Sequence, residues 1–170
     1  MRLFEQTQLN VFRLTESLNL QIETASNFGV DQIIEVVFKC FPQYESHEMK
    51  NFILSVTNLD KSFVLTDGTQ LYGFYLLGDR QLHDIIDDEK LIPSENLESY
   101  KDKVGVEGVA LGILPEYRKQ GYANMLKNKV SGYDYICGLQ FKELGNLQNW
   151  LKTRRVVASN NDLYLTLQDL

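Results

Sequence analysis

The chain has 170 residues, 44% hydrophobic and 24% charged, a size and balance that suit one folded domain with a real core. Its 23 carboxylates against 17 lysines and arginines give a net charge of −6, which excludes the basic face that a nucleic-acid footprint needs. No run of about eighteen apolar residues marks a membrane span and no basic-then-apolar leader is visible, so a cytoplasmic protein is expected.

Leu9, Val11 and Arg13 alternate weakly, and Leu18, Leu20 and Ile22 alternate with Asn19, Gln21 and Glu23, so the chain opens with two short strands. Val30, Ile33, Ile34, Val37, Phe38 and Phe41 recur at helical spacing until Pro42 stops the helix. Ser46 is placed to cap a second helix with Met49, Phe52, Ile53 and Val56 inside. "SFVLTDGTQLYGFYLL" then reads as a hairpin turning at Asp67-Gly68.

From Asp84 to Glu98 six carboxylates face only Lys90, a local charge of −5. Pro93 and Ser94 point to a loop holding at most a short helix, and an insertion of about 79–103 is expected. The stretch is either a solvated insertion or an electrostatic lure for a cationic substrate.

In "VGVEGVALGIL", Val109, Leu111 and Ile113 fall on one face of a strand, and Gly108, Ala110 and Gly112 fall on the other. A face this bare lets another group approach closely. "PEYRKQGYANML" follows, with a proline, two cations and Gly121 at the mouth of a helix carrying Tyr122, Met125, Leu126 and Val130. Such a mouth is either a solvated turn or an anion cradle, because helix N-termini present unpaired N–H groups. "YDYICGLQF" is a strand, "LGNLQNWLKTRR" a helix and "LYLTLQ" a closing strand. Hairpins mixed with crossovers imply a mixed α/β layer fold. Cys40 and Cys137 lack metal-type spacing and read as buried free thiols, and His47 and His83 have no clustered ligands, so no metal is expected.

Arg118-Lys119-Gln120-Gly121-Tyr122-Ala123, set between an apolar strand and a helix, resembles the signature of the GNAT superfamily of acyl-CoA-dependent N-acetyltransferases. The "DGTQLYGFYLL" hairpin and the order of elements resemble that family over nearly the whole chain. The resemblance implies one N-acetyltransferase domain over 1–170, a central mixed sheet flanked by helices, with an extra N-terminal strand and the acidic insertion. It implies acetyl-CoA as co-substrate, its pyrophosphate wrapped by Arg118, Lys119, Gln120, Gly121, Tyr122 and Ala123, with Arg118 holding the turn, adding charge or merely exposed. It implies that main-chain groups of Leu111, Gly112 and Ile113 pair with the pantetheine arm, and that Asn146 matches a family asparagine after the next strand.

The acceptor implied is a primary amine, either a small molecule, cationic or not, or a protein lysine or N-terminus, attacking the thioester directly in a ternary complex. A lysine-like amine has a pKa of about 10.4, so attack calls for a base. Glu107, eleven residues before Arg118, is the candidate, because histone-type members of the family it resembles carry a basic glutamate at that spacing. Its parity with Val109, Leu111 and Ile113 implies an apolar setting; the alternative is a strand-end carboxylate paired with Lys101 or Lys103. Ile113 N–H is the candidate oxyanion donor. The family's leaving-group tyrosine has no clear counterpart. Trp150 stands near its place, as a core residue or a substrate contact, and Arg154-Arg155 replaces the usual Gly-Phe pair. Nothing favours Tyr164 as an acid over a structural role. These departures keep open a second reading, a non-catalytic acyl-CoA-binding or interaction module on the same fold. Oligomeric state, homodimer included, is not written in the sequence.

Overall fold

The computed structural model describes residues 19–144 and 151–170. The expected strand at Leu9–Arg13, Leu18, Asn146 and Trp150 lie outside them. In chain order come β1 (Gln21–Thr24), α1 (Val30–Cys40), α2 (His47–Val56), β2 (Phe63–Thr66) and β3 (Leu71–Gly78). Next are α3 (Leu82–Asp88), β4 (Ile92–Pro93), β5 (Gly105–Ile113) and α4 (Tyr122–Lys127). The last are β6 (Tyr135–Phe141), β7 (Arg155–Ser159) and β8 (Leu163–Asp169). Their strands form one sheet in the order β1-β2-β3-β5-β6-β8-β7-β4. The β5–β6 pair is parallel and the other described pairs are antiparallel. The mixed α/β architecture is the one expected.

Local chemistry sets the elements. Ile33, Ile34, Val36 and Val37 give α1 a buried stripe, and the helix ends before Pro42. Ser46 caps α2 by accepting from Met49 N–H at 3.0 Å. The β2–β3 turn is wider than a two-residue Asp-Gly hairpin. Thr66 pairs with Leu71, and the Asp67 carboxylate organises the loop by accepting from Thr69 N–H, Gln70 N–H and the Tyr72 hydroxyl.

β3 alternates between two cores. Phe74 and Leu76 join Ile33 and Val37 under α1 and α2, whereas Tyr75 and Leu77 join Leu126 of α4 on the other face. The helix stripe expected at 122–130 is shorter than its pattern: Leu126 is buried, but Met125 is exposed.

The acidic stretch is more ordered than a loop. Leu82 and Ile85 anchor α3 in the core, and β4 extends the sheet beside β7. Pro93 fits this edge position because it has no N–H to leave unpaired there. Much of the stretch's charge meets cations of the same chain: Arg80 bonds Glu89 at 2.9 Å, Arg155 bonds Glu95 at 3.1 Å and Lys101 bonds Glu98 at 2.7 Å. β7 was missed because five residues opening on an arginine carry little alternation. No helix among the described residues is long and apolar enough to cross a membrane.

Candidate active site

β5 and β6 pair only at Gly105–Tyr135, Val106–Ile136 and Glu107–Cys137, then splay. Beyond that apex the two strands leave a slot between them. Which backbone groups face the slot follows from the other edge of β5. Leu114 N–H donates to Tyr72 O at 2.9 Å, so Leu114 turns toward β3. Antiparallel alternation then aims the N–H and C=O of Ile113 and Leu111 away from β3 and those of Gly112 toward it. Of the three residues expected to line a pantetheine arm, Leu111 and Ile113 present main chain and Gly112 presents close packing. A Cβ on Gly112 would lie 2.6 Å from Phe74 and 3.1 Å from Cys40. The Ile113 carbonyl is already engaged by Arg118 Nε at 2.8 Å, so Arg118 ties the turn to the strand.

That turn opens a cavity of about 370 Å³ whose wall includes Leu111, Gly112, Ile113, Arg118, Lys119, Gly121, Tyr122 and Ala123. Of the expected cradle, Gln120 is absent from the wall. Gly121 caps α4 with φ +85°, and Lys119 also has positive φ, at +62°. A side chain at Gly121 would be strained, and its Cβ direction is open space. The first bond into α4 runs from Met125 N–H to Gly121 O at 3.1 Å. Tyr122, Ala123 and Asn124 therefore aim first-turn N–H groups out of the helix mouth, where the helix dipole favours an anion.

Glu107 stands at the apex, the last residue of the β5–β6 ladder. Its surroundings differ from the apolar setting expected. The residue is 2% exposed, and Arg80 donates Nε to one carboxylate oxygen at 2.9 Å and Nη2 to the other at 2.6 Å. The anticipated lysines are elsewhere, Lys101 with Glu98 and Lys103 near Asp169. The strand's parity also breaks. Leu76 faces Ala110 and Leu77 faces Gly108, so Val109 is the extra residue of a bulge. Val109 and Ala110 consequently pack toward α1 and α2, and Leu111 and Ile113 pack on the α4 face. Glu107 and Ile113 cannot serve one carbonyl, because six strand residues span about 20 Å.

Beyond the apex, Gly108 and Gly138 face each other, with Tyr75 and Arg154 packed against them. A Cβ on Gly108 would lie 3.0 Å from the Tyr75 hydroxyl, and one on Gly138 would lie 3.2 Å from Arg154 Nη1. Arg154 Nη2 donates to the Tyr75 hydroxyl at 3.1 Å. Both residues line a cavity of about 490 Å³ with Lys127, which burial and then the Arg154 charge hold below the usual lysine range. Sequence reasoning missed this pair; a buried arginine in place of the expected glycine was its only trace. Burial pushes the thiols of Cys40 and Cys137 up, to about 11 and about 12, so neither is a nucleophile. Tyr164 carries Lys142 over its ring, 4.5 Å from the centroid.

By sequence, no family model and no curated protein matches the chain. Solved structures do match its backbone. An acetyltransferase of the GNAT family from Streptococcus agalactiae superimposes with TM-score 0.64 at 12% identity, over 89% of this chain and 95% of that one. NAA60 of Arabidopsis thaliana in complex with acetyl-CoA superimposes with TM-score 0.58 at 16% identity, over 89% of this chain and 100% of that one. The PaiA N-acetyltransferase of Thermoplasma acidophilum in complex with coenzyme A gives 0.55 at 13%, over 89% and 99%.

The chain has the GNAT fold. Within that fold the splay of β5 from β6 and the turn into α4 are features of this chain's own backbone. The expected fold class and resemblance therefore hold for the architecture, while β4 extends the sheet at one edge.

Proposed function

We propose that this chain is an acetyl-CoA-dependent N-acetyltransferase, a single domain that transfers an acetyl group to a primary amine. The observation that carries the reading is the continuity of the β5–β6 slot with the Gly121 turn. The turn receives pyrophosphate oxygens on the N–H groups of Lys119 to Asn124. The pantetheine arm extends the free edge of β5 at Leu111 and Ile113, and the thioester lies near the apex.

There the chain's own groups have distinct tasks. The bulge at Val109 takes its amide out of the β3 ladder, which offers an oxyanion donor nearer the apex than Ile113. Attack by the neutral amine on the thioester carbonyl forms the C–N bond, the nitrogen gives up its extra proton to solvent water, and the C–S bond breaks as the intermediate collapses. A thiol has a pKa of about 8.5, so it leaves as an anion without a dedicated acid, and the Arg154 charge beside the apex favours that anion. Glu107 keeps its place as candidate base only by giving up its bonds to Arg80. Its other role is to brace the apex as the buried half of that ion pair.

The same ion pair favours a second reading, a binding module that keeps the cradle without turnover. One experiment separates the two. Acetyl-CoA at about a hundred times its dissociation constant adds about 2.7 kcal/mol, seen as a rise in Tm. Acetylated product from an amine panel then establishes transfer. A Tm rise without product in any panel member leaves the binding module, and no Tm rise at millimolar acetyl-CoA removes both.

A further inference from the structure

On the α1–α2 side the slot opens into a third cavity, of about 180 Å³. Its wall is built by Phe38 and Phe52 from the helices, by Phe41 and Tyr44 from their connection and by Leu139 and Phe141 from β6. Tyr44 stacks on Phe141 with ring centroids 5.6 Å apart, closing the groove between the α1–α2 connection and β6. Val109 and Ala110 form its floor at the bulge, so the groove reaches the strand edge next to the apex. Among the described residues its wall carries no Asp, Glu, Lys, Arg or His. The acidic stretch from Asp84 to Glu98 contributes nothing to it.

Resting on the acetyltransferase reading above, we infer that this groove is the acceptor site and takes a primary amine carried on one aromatic ring by a short arm, the 2-phenylethylamine class. Volume supports one ring: an apolar cavity of roughly 150 Å³ is large enough to bind benzene. Charge argues against small acceptors that carry a second ionised group. A polyamine or a free amino acid would bring a second ionised group into a wall with no counter-ion, and an unpaired buried charge is strongly disfavoured. An acyl tail would compete with the amine for this groove, and hexanoyl-CoA separates the two occupants. The groove also aids the chemistry. Apolar surroundings disfavour the ammonium form, so the amine loses its proton more readily on entering. This lessens the need for a side-chain base and fits a Glu107 already bonded to Arg80.

The test uses the full chain with saturating acetyl-CoA and compares 2-phenylethylamine, spermidine and lysine. The expected kcat/KM for 2-phenylethylamine exceeds the other two by about 50-fold or more, the scale on which a hydrophobic pocket discriminates. Phe52→Asp, at a residue 38% exposed and so tolerant of change, should lower kcat/KM for 2-phenylethylamine at least about tenfold and raise it for spermidine. The acetyl-CoA Tm shift should be unchanged. Preference of the wild type for spermidine or lysine overturns the inference and leaves the acetyltransferase reading standing. Tighter binding of hexanoyl-CoA than acetyl-CoA, weakened by Phe52→Asp, overturns it in favour of an acyl pocket. If no amine is acetylated, calorimetry of 2-phenylethylamine on the CoA-saturated protein decides. Binding that Phe52→Asp removes upholds the groove's occupant while transfer fails, and no binding overturns the inference.

Discussion

The Gly121 turn and the Glu107 apex lie on one continuous stretch of chain but are held together differently. The turn is local. Its shape comes from positive φ at Lys119 and Gly121 and from Arg118 donating to the Ile113 carbonyl, five residues away. The apex is assembled from a distance. Glu107 meets Arg80 across 27 residues and Arg154 meets Tyr75 across 79. The contrast teaches that ligand capture here depends on backbone conformation, whereas the reaction centre depends on buried charge arranged by the whole sheet. Substitutions should therefore separate the two, one losing cofactor with the fold intact and the other losing stability with cofactor binding intact.

The largest effect is expected at the turn. Gly121→Val should abolish the acetyl-CoA Tm shift while the unliganded Tm falls only slightly, because the side chain enters open space but cannot adopt φ +85° without strain. A retained shift would mean that phosphate does not sit there. Next comes Glu107→Gln. Removing one partner of a buried ion pair costs about 3–5 kcal/mol, so Tm should drop several degrees while acetyl-CoA still binds. If Glu107 is also the base, the rate should in addition fall on the order of 10²- to 10⁴-fold at pH 7, recovering as pH rises. The observed ion pair predicts the Tm drop in either case, so the rate and its pH dependence decide whether Glu107 is the base.

The turn was legible in the sequence because its requirement is written in consecutive residues, two cations and a glycine between strand and helix. Most of the sheet was legible for the same reason, through alternation in β1, β2, β3, β6 and β8. The apex was not. A bulge at Val109 leaves no mark in a run of small and apolar residues, yet it reverses the side on which Leu111 and Ile113 lie. Arg80, before the acidic stretch, gave no sign that it reaches Glu107, and its burial depends on α3 packing against Tyr135 and Cys137. The lure reading of the acidic stretch failed to anticipate that Arg80, Lys101 and Arg155 would meet its carboxylates. Aromatic residues of α1 and α2 looked like core and turned out partly to line a groove, Phe52 most openly.

Two smaller effects sharpen the comparison. Arg118→Met removes a charged donor from the Ile113 carbonyl, an interaction worth about 1.5–3 kcal/mol. It should weaken acetyl-CoA binding roughly tenfold by loosening the turn, as titration calorimetry would read. An unchanged affinity would make Arg118 a bystander. The smallest effect concerns pH. Hydrogen bonds hold several carboxyls below the usual range, among them Asp67 through Gln70 N–H first and Asp169 through the Tyr100 hydroxyl first. Unfolded carboxylates of this kind titrate near pH 4, so on acidification the unfolded chain takes up protons first. Their stabilisation is complete above about pH 5 and is lost as pH falls through the folded values. Tm should be level from pH 8 to about 5 and decline below about 4, and a rise on acidification would contradict the assignment.

The most direct test of the central claim is amide hydrogen exchange with and without coenzyme A, read segment by segment. If the cofactor lies along the free edge of β5 with its pyrophosphate in the Gly121 turn, protection should increase over 111–113 and 119–124. Exchange over β1 and over 63–66 should be unchanged. Protection that spares both of the first two segments while coenzyme A is demonstrably bound would place the ligand elsewhere and contradict the account.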